Sequence, residues 1–337
     1  MRWVRTNRES GTAAVLFAVV ATVMFGMGAM VIDAGALYQE RRELQTGADA
    51  GALALAQICA KAATPCVNGP PLDAEADKYA DLNVADLNAS ATATIDGSTK
   101  EVTVVAATPN DNQVPFRFAP ILGGAREGKT RAKAKAGYGY PSKGNTLPLT
   151  FSLCEWKQMT GTPPVFPTTE KLIYFHESAK GKSGDADTGP CPVTPSGMDS
   201  DGVTILTGGF GQLQQAPGSC YALISIGNWV LTSPGANPPS KPCLPADAIG
   251  QDVELPIFDM VDLTCPIDPA RKCYHIYGFA MFHISGLYLG GNGWSTDPKP
   301  CKSDERCLKG YFKSFSTTRI GVPTGPNLGL SVVYLTE

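Results

Sequence analysis

The sequence predicts an α+β chain: a long N-terminal transmembrane helix that runs on to pack against a small antiparallel sheet, followed by a disulfide-rich all-β domain. Three observations carry that expectation. Residues 11–32 hold no charged side chain. Residues 33–63 are alanine-rich and free of proline. The remainder carries most of the 36 Gly and 27 Pro and breaks into short apolar runs separated by turns.

The uncharged run GTAAVLFAVVATVMFGMGAMVI spans 22 positions. At about 1.5 Å per residue it matches a hydrocarbon core of roughly 30 Å. Arg2, Arg5 and Arg8 precede it against the single acid Glu9, whereas Arg41 and Arg42 beyond it are flanked by Glu40 and Glu43. That bias puts residues 1–10 in the cytoplasm and the bulk of the chain outside. The rival reading is a secretory signal cut at the small-x-small site Ala34-Gly35-Ala36. Against it, the apolar run exceeds the roughly 7–15 residues usual in such signals, and helical pattern continues through the would-be cut. Leu37, Leu44, Gly51 and Ile58 recur every seven residues, with Ala48, Leu55 and Ala62 on the adjacent stripe. One helix over 11–63 would be ~80 Å long. Within the span Ala14, Ala18, Thr22 and Gly26 form a small-residue ridge suited to close approach by another helix.

Residues 33–140 read as the rest of that helix packed on a small sheet. A second helix is expected over about residues 72–83. Alternation then predicts strands Ala91–Ile95 and Glu101–Val105 around the turn Asp96-Gly97-Ser98-Thr99. PFRFAPILGG, residues 115–124, suits a short helical turn before a strand near Gly128–Tyr138. A boundary is expected where Gly, Pro, Ser, Lys and Asn cluster at 137–147. From 141 to 337 the apolar runs Leu149–Leu153, Lys171–Phe175, Cys220–Val230, Asp252–Ile257, His275–Leu289, Tyr311–Ile320 and Leu328–Leu335 argue for a sandwich or barrel with no helix. The connections 181–202 and 231–250 are long for a compact domain.

The 10 cysteines stand at Cys59, Cys66, Cys154, Cys191, Cys220, Cys243, Cys265, Cys273, Cys301 and Cys307, without a C-x-x-C pair. An even number without metal-ligand spacing points to disulfides and an oxidising compartment. Local loop closure favours Cys59 with Cys66, Cys301 with Cys307, Cys265 with Cys273 and Cys220 with Cys243, leaving Cys154 with Cys191. The eight cysteines of the second domain allow about 105 connectivities, so closure is the sole warrant for that choice.

Nothing in the chain specifies catalysis. A net charge of -3 without a basic block argues against nucleic acid. The three histidines are His176, His275 and His283; the last two lie ~26 Å apart along an extended strand, too far to share a metal, and no G-x-S-x-G turn supplies a nucleophile. They read as structural. Gly181-Lys182-Ser183 is not a phosphate loop, because His176 stands where its first glycine belongs. Asp185, Asp187, Asp199 and Asp201 lack the alternation of a calcium loop and read as polar loop residues. Tyr274, Tyr277, Phe279, Phe282 and Tyr288 read as core rather than as a sugar- or protein-binding face. No catalytic residue, metal site or cofactor is assigned, and the chain is expected not to be an enzyme.

The run ESGTAAVLFAVVATVMFGMGAMVIDAGALYQERRELQTGADAGALALA resembles the N-terminal segment of the TadE/TadG-like proteins of Flp (tight adherence) pilus assembly. The family's elements follow in order here. They are Arg8, Gly11, the span, Asp33-Ala34-Gly35-Ala36-Leu37-Tyr38, Glu40-Arg41-Arg42-Glu43-Leu44-Gln45 and Ala48-Asp49-Ala50-Gly51-Ala52-Leu53-Ala54. FSLCEWK, ELPIFD, YHIYGFAMFHISGLYL and KGYFKSF are similar to the C-terminal region of TadG-related proteins from high-GC Gram-positive bacteria.

The resemblance implies a pilin-like module over 33–140 and a single-pass, minor-pilin-like accessory of Flp pilus assembly. Its partners would be other Tad/Flp pilus or platform membrane proteins. Two departures limit it. Prepilin processing after Gly11 would place Leu16 where the family's pilins carry Glu, so fibre incorporation is not expected. The D-x-S-x-S metal site of larger TadG proteins has no counterpart in this sequence. The second reading, from a different class, is an adhesion module on a membrane stalk that recognises cell-wall glycan or a host surface.

Overall fold

The computed structural model describes residues 10–61, 66–175, 184–185, 209–215, 221–233, 248–262, 264–289, 298–302, 306–317 and 323–336. They fold as two compact units, one of residues 1–56, 66–137 and 335–337, the other of residues 57–65 and 138–334. The architecture is α+β, a long apolar helix followed by a mostly β region tied by disulfides.

Helix α1 runs unbroken over Ser10–Lys61, 52 residues. Its first half leaves its apolar side chains exposed, Phe17 at 75% and Phe25 at 79%. Its second half buries Leu44, Gly47, Ala48, Gly51, Ala52, Leu55 and Ala56. The seven-residue repeat expected from sequence holds at Leu44 and Gly51 but fails at Ile58, which is 45% exposed. The buried residues advance in steps of four; each such step turns a helix about 40° past a full revolution, so the buried face winds around α1.

Small residues on that face let neighbours come close. Helix α2 (Pro70–Asp81) opens on prolines, which suit the first helical turn. A Cβ at Gly47 would lie 3.0 Å from the Ala80 Cα of α2. The strands β1 (Ser90–Asp96) and β2 (Glu101–Ala107) form an antiparallel hairpin. Asp96 sets its turn, its carboxylate accepting from Ser98 N at 2.8 Å and Ser98 Oγ at 2.6 Å. A short ladder follows, β3 (Val114–Pro115) with β4 (Glu127–Gly128), and the loop between them holds a 3-10 turn, Ala119–Leu122. Strand β5 (Arg131–Gly139) then pairs antiparallel with β2. The inward face of this sheet is Ala91, Ala93, Val102, Val104, Ala106, Ala132, Ala134 and Ala136. A Cβ at Gly51 would lie 3.5 Å from Val104 Cγ1, so α1 sits directly on it.

The free edge of β1 is closed by side chains. Asp81 accepts from Ala89 N at 2.7 Å, Asp77 from Ala91 N, Asp73 from Ala93 N at 2.8 Å, and Asn68 from Ile95 N at 2.6 Å. Four helical residues rise about 6 Å and two strand residues about 6.6 Å, so aspartates every fourth position meet the outward N–H groups of every second one. Such an edge cannot template pairing with another chain.

The second unit is built on an eight-stranded sheet. In chain order its elements are β6 (Lys143–Thr146), β7 (Leu149–Ser152), α3 (Leu153–Thr160), β8 (Lys171–Tyr174), β9 (Gly184–Asp185), β10 (Phe210–Gln212), β11 (Ala222–Ser225), β12 (Trp229–Leu231), β13 (Asp252–Asp262), β14 (Cys273–Tyr288), β15 (Cys307–Lys313), β16 (Phe315–Thr317) and β17 (Leu330–Leu335). The sheet order is β10-β7-β13-β14-β15-β8-β9, with β12 also on β14; β7 and β13 run parallel and the other pairs antiparallel. β11 pairs with β6, and β16 runs parallel to β17. Phe151, Phe282 and Phe312 meet at ring-centroid distances of 4.7–5.5 Å in the centre of the core.

Two elements of this unit depart from the sequence expectation: the run Cys220–Val230 divides between β11, on β6, and β12, on β14, and a helix interrupts the strands. Residues 153–160 form helix α3, where no helix was expected beyond residue 141 and the apolar run ended at Leu153. Ser152 caps it, its Oγ accepting from Glu155 N at 3.1 Å. Glu155 is itself fully buried and accepts from Gly209 N at 2.9 Å.

Candidate functional site

The first half of α1 presents a continuous run of exposed apolar side chains, and α1 is a helix long and apolar enough to cross a membrane. Ala14, Ala18 and Thr22 lie exposed on it and Gly26 is half-buried. A Cβ at Gly26 or Gly28 would meet nothing within 4 Å, so the ridge stands open. The Thr22 hydroxyl donates to the Ala18 carbonyl at 2.8 Å, which satisfies it inside its own helix. Arg2, Arg5, Arg8 and Glu9 lie outside the described residues.

Immediately past the apolar run comes Asp33, 6% exposed. Its carboxylate accepts three backbone N–H groups from a loop more than 80 residues away: Arg117 at 2.8 Å, Phe118 at 3.1 Å and Ala119 at 2.6 Å. An unpaired buried carboxylate would be costly, and three converging amides make it a clamp instead. The loop end is closely fitted, since a side chain at Gly128 would run into Phe116 and Leu37. The sequence carried one signal for this contact: an acid directly after a 22-residue uncharged run needs a partner. The partner's position was not readable from it.

Further along α1, the charged patch fixes the helix to its surroundings. Glu43 accepts from Ala85 N at 2.8 Å and from Gln39 Nε2 at 3.1 Å, while Gln45 Nε2 donates to the Lys133 carbonyl at 3.1 Å. Arg42 and Glu43 help to line a shallow open hollow of about 500 Å³ with Tyr38, Gln39, Thr46 and Asn83.

In the second unit the structure bonds Cys265 to Cys273, with Cα atoms 5.4 Å apart, and Cys301 to Cys307, 6.4 Å apart. Cys59, Cys66 and Cys154 are each disulfide-bonded. Cys191, Cys220 and Cys243 lie outside the described residues, as do His176, the Gly181-Lys182-Ser183 segment, Asp187, Asp199 and Asp201.

His275 and His283 each find an aspartate across the sheet. His275 Nδ1 lies 2.6 Å from Asp259 Oδ1, beside Trp229 with ring centroids 5.2 Å apart. His283 Nδ1 lies 2.7 Å from Asp252 Oδ1, and its ring stacks on Tyr311 at 4.9 Å. Lys313 Nζ reaches Asp252 Oδ2 at 2.5 Å. Burial pushes the Asp252 carboxyl up, but the hydrogen bonds from Lys313 and His283 outweigh it and hold the group below the usual aspartate value. The same hydrogen bond raises Lys313. These are hydrogen-bonded contacts between strands on the sheet surface, with Lys313 and Asp252 an ion pair, and among the described residues no three His, Cys, Asp or Glu side chains converge as metal ligands. Of the aromatic band, Tyr274, Phe279, Phe282 and Tyr288 are buried and Tyr277 is 38% exposed.

No curated protein and no solved structure matches the chain. Residues 11–57 match the family described as putative Flp pilus-assembly TadE/G-like. That stretch holds the apolar run, Asp33, the charged patch and the buried small-residue face, and it is the part of this chain that is similar to Flp pilus-assembly proteins of the TadE/G type.

Proposed function

We propose that the chain is a membrane-anchored, minor-pilin-like accessory of Flp pilus assembly that acts through helix–helix and protein–protein contacts rather than catalysis. The observation that carries the reading is the coincidence of the TadE/G-like match over 11–57 with a helix whose apolar half is left uncovered. In this reading residues 11–32 cross the membrane with the N-terminus in the cytoplasm and both folded units outside, where disulfides persist. The residues Ala14, Ala18, Thr22 and Gly26 then meet a helix of another pilus or platform protein.

Photocrosslinkers placed at Ala14, Ala18, Thr22 and Gly26 in the native membrane test this. Capture of a second membrane-spanning pilus component from these positions, and from neither Phe17 nor Phe25, is the expected result. Capture of lipid alone at all six positions would remove the assembly role.

A further inference from the structure

We propose that the loop between β3 and β4 is a second membrane contact, its tip at Ile121 seated in the headgroup–acyl boundary of the bilayer that α1 crosses. The inference rests on the reading of residues 11–32 as a span, and the height of the loop along α1 carries it. The midpoint of that span is 11–12 residues before Asp33, or ~17 Å along the helix, just beyond the ~15 Å half-thickness of a hydrocarbon core. Asp33 therefore lies at the interface, and the amides of Arg117, Phe118 and Ala119 bound to it lie there too.

The direction of the loop follows from its stem. Phe116 and Gly128 pack beside Leu37, one helical turn farther from the span than Asp33. The chain thus leaves β3 at the level of Leu37, descends to Asp33 by residues 117–119, and makes its 3-10 turn directly from that level, over Ala119–Leu122, before returning to β4. Ile121 stands 76% exposed on that turn, an arrangement that water does not reward. Arg117 and Arg126 are exposed on the two arms. An apolar tip between two arginines suits a surface of acyl chains below and anionic phosphates above. The clamp also explains how an acid is tolerated at this level: its charge is met by protein amides rather than left to the lipid.

The test uses the full chain in nanodiscs of phosphatidylcholine and phosphatidylglycerol. Single variants Phe25→Cys, Thr46→Cys and Ile121→Cys are labelled without reductant by a polarity-sensitive fluorophore, the unsubstituted protein giving the background. Lipids carrying a nitroxide either near the headgroup or near the acyl terminus then act as quenchers. The label at 121 is expected to shift to the blue and to lose fluorescence to the shallow nitroxide. The label at 25 should lose it to the deep one, and the label at 46, ~20 Å farther along α1 than Asp33, to neither. If 25 is quenched while 121 behaves like 46, the loop contact is overturned and the span stands. If 25 escapes quenching as well, the span is overturned and the loop contact with it.

Discussion

Replacing Asp33 by Asn isolates the clamp, because the side chain keeps its size and loses its charge and one acceptor. In the native protein Oδ1 accepts from Arg117 N and Oδ2 from Ala119 N, with Phe118 N within 3.3 Å of both. Asn retains a single carbonyl oxygen and sets an NH2 against the remaining donor. Hydrogen bonds to a charged group contribute about 1.5–3 kcal/mol, and an N–H left unpaired in a buried site costs about 1–3 kcal/mol. Allowing for overlap between these terms, opening of the loop should become easier by about 2–4 kcal/mol. At 1.4 kcal/mol per tenfold, that is roughly 30- to 700-fold faster amide exchange.

Hydrogen exchange on a peptide covering 114–124, in the full-length chain held in nanodiscs, reads this directly. Amides of β1, β2 and β5 should keep their native rates, since the Asp33 clamp does not touch them. Unchanged exchange at 117–119 would mean that the Asp33 carboxylate does not hold the loop.

Three further outcomes follow from the second unit. Phe151→Ala removes the ring that Phe282 and Phe312 pack on, and should destabilise the unit by about 3–5 kcal/mol in denaturant melts. Replacing both Cys265 and Cys273 by Ser opens a loop with a sequence separation of 8, which chain entropy values at about 2–3 kcal/mol; an unchanged denaturation midpoint would contradict it. Asp252 has its folded-state pKa depressed, so its contribution is complete above the unfolded value of 3.8 and is lost as pH falls through the lower folded value. Thermal melts of wild type against Asp252→Asn should therefore differ at neutral pH and converge in acid once the carboxyl is protonated in the folded protein, and a difference that persists there would refute the ion pairing.

How much of this was legible from the sequence depended on the range of each cause. The hairpin of β1 and β2 follows from alternation within fifteen or so residues and from Asp96 at the turn. Helix α3 had a readable cue in Ser152-Leu153-Cys154-Glu155, the S-x-x-E spacing of a capping box, but it was masked by the apolar strand that runs into it. Asp73, Asp77 and Asp81 repeat every four residues, which in a sequence reads as a solvated helix face. Only the presence of β1 alongside, with its outward amides in matching register, turns them into a closed sheet edge.

The sequence by itself determined that α1 exists, that its first half is long and apolar enough to cross a bilayer, and that it continues without a break as a small-residue rod. Each of these depends on composition and period within one continuous segment. Tertiary structure alone decided which faces of that rod are covered, that Ile58 is not among them, and that Asp33 grips amides 84 to 86 residues later. Those facts arise where segments distant in sequence converge, and a buried charge reveals its partner only when the backbone that satisfies it has been folded into place.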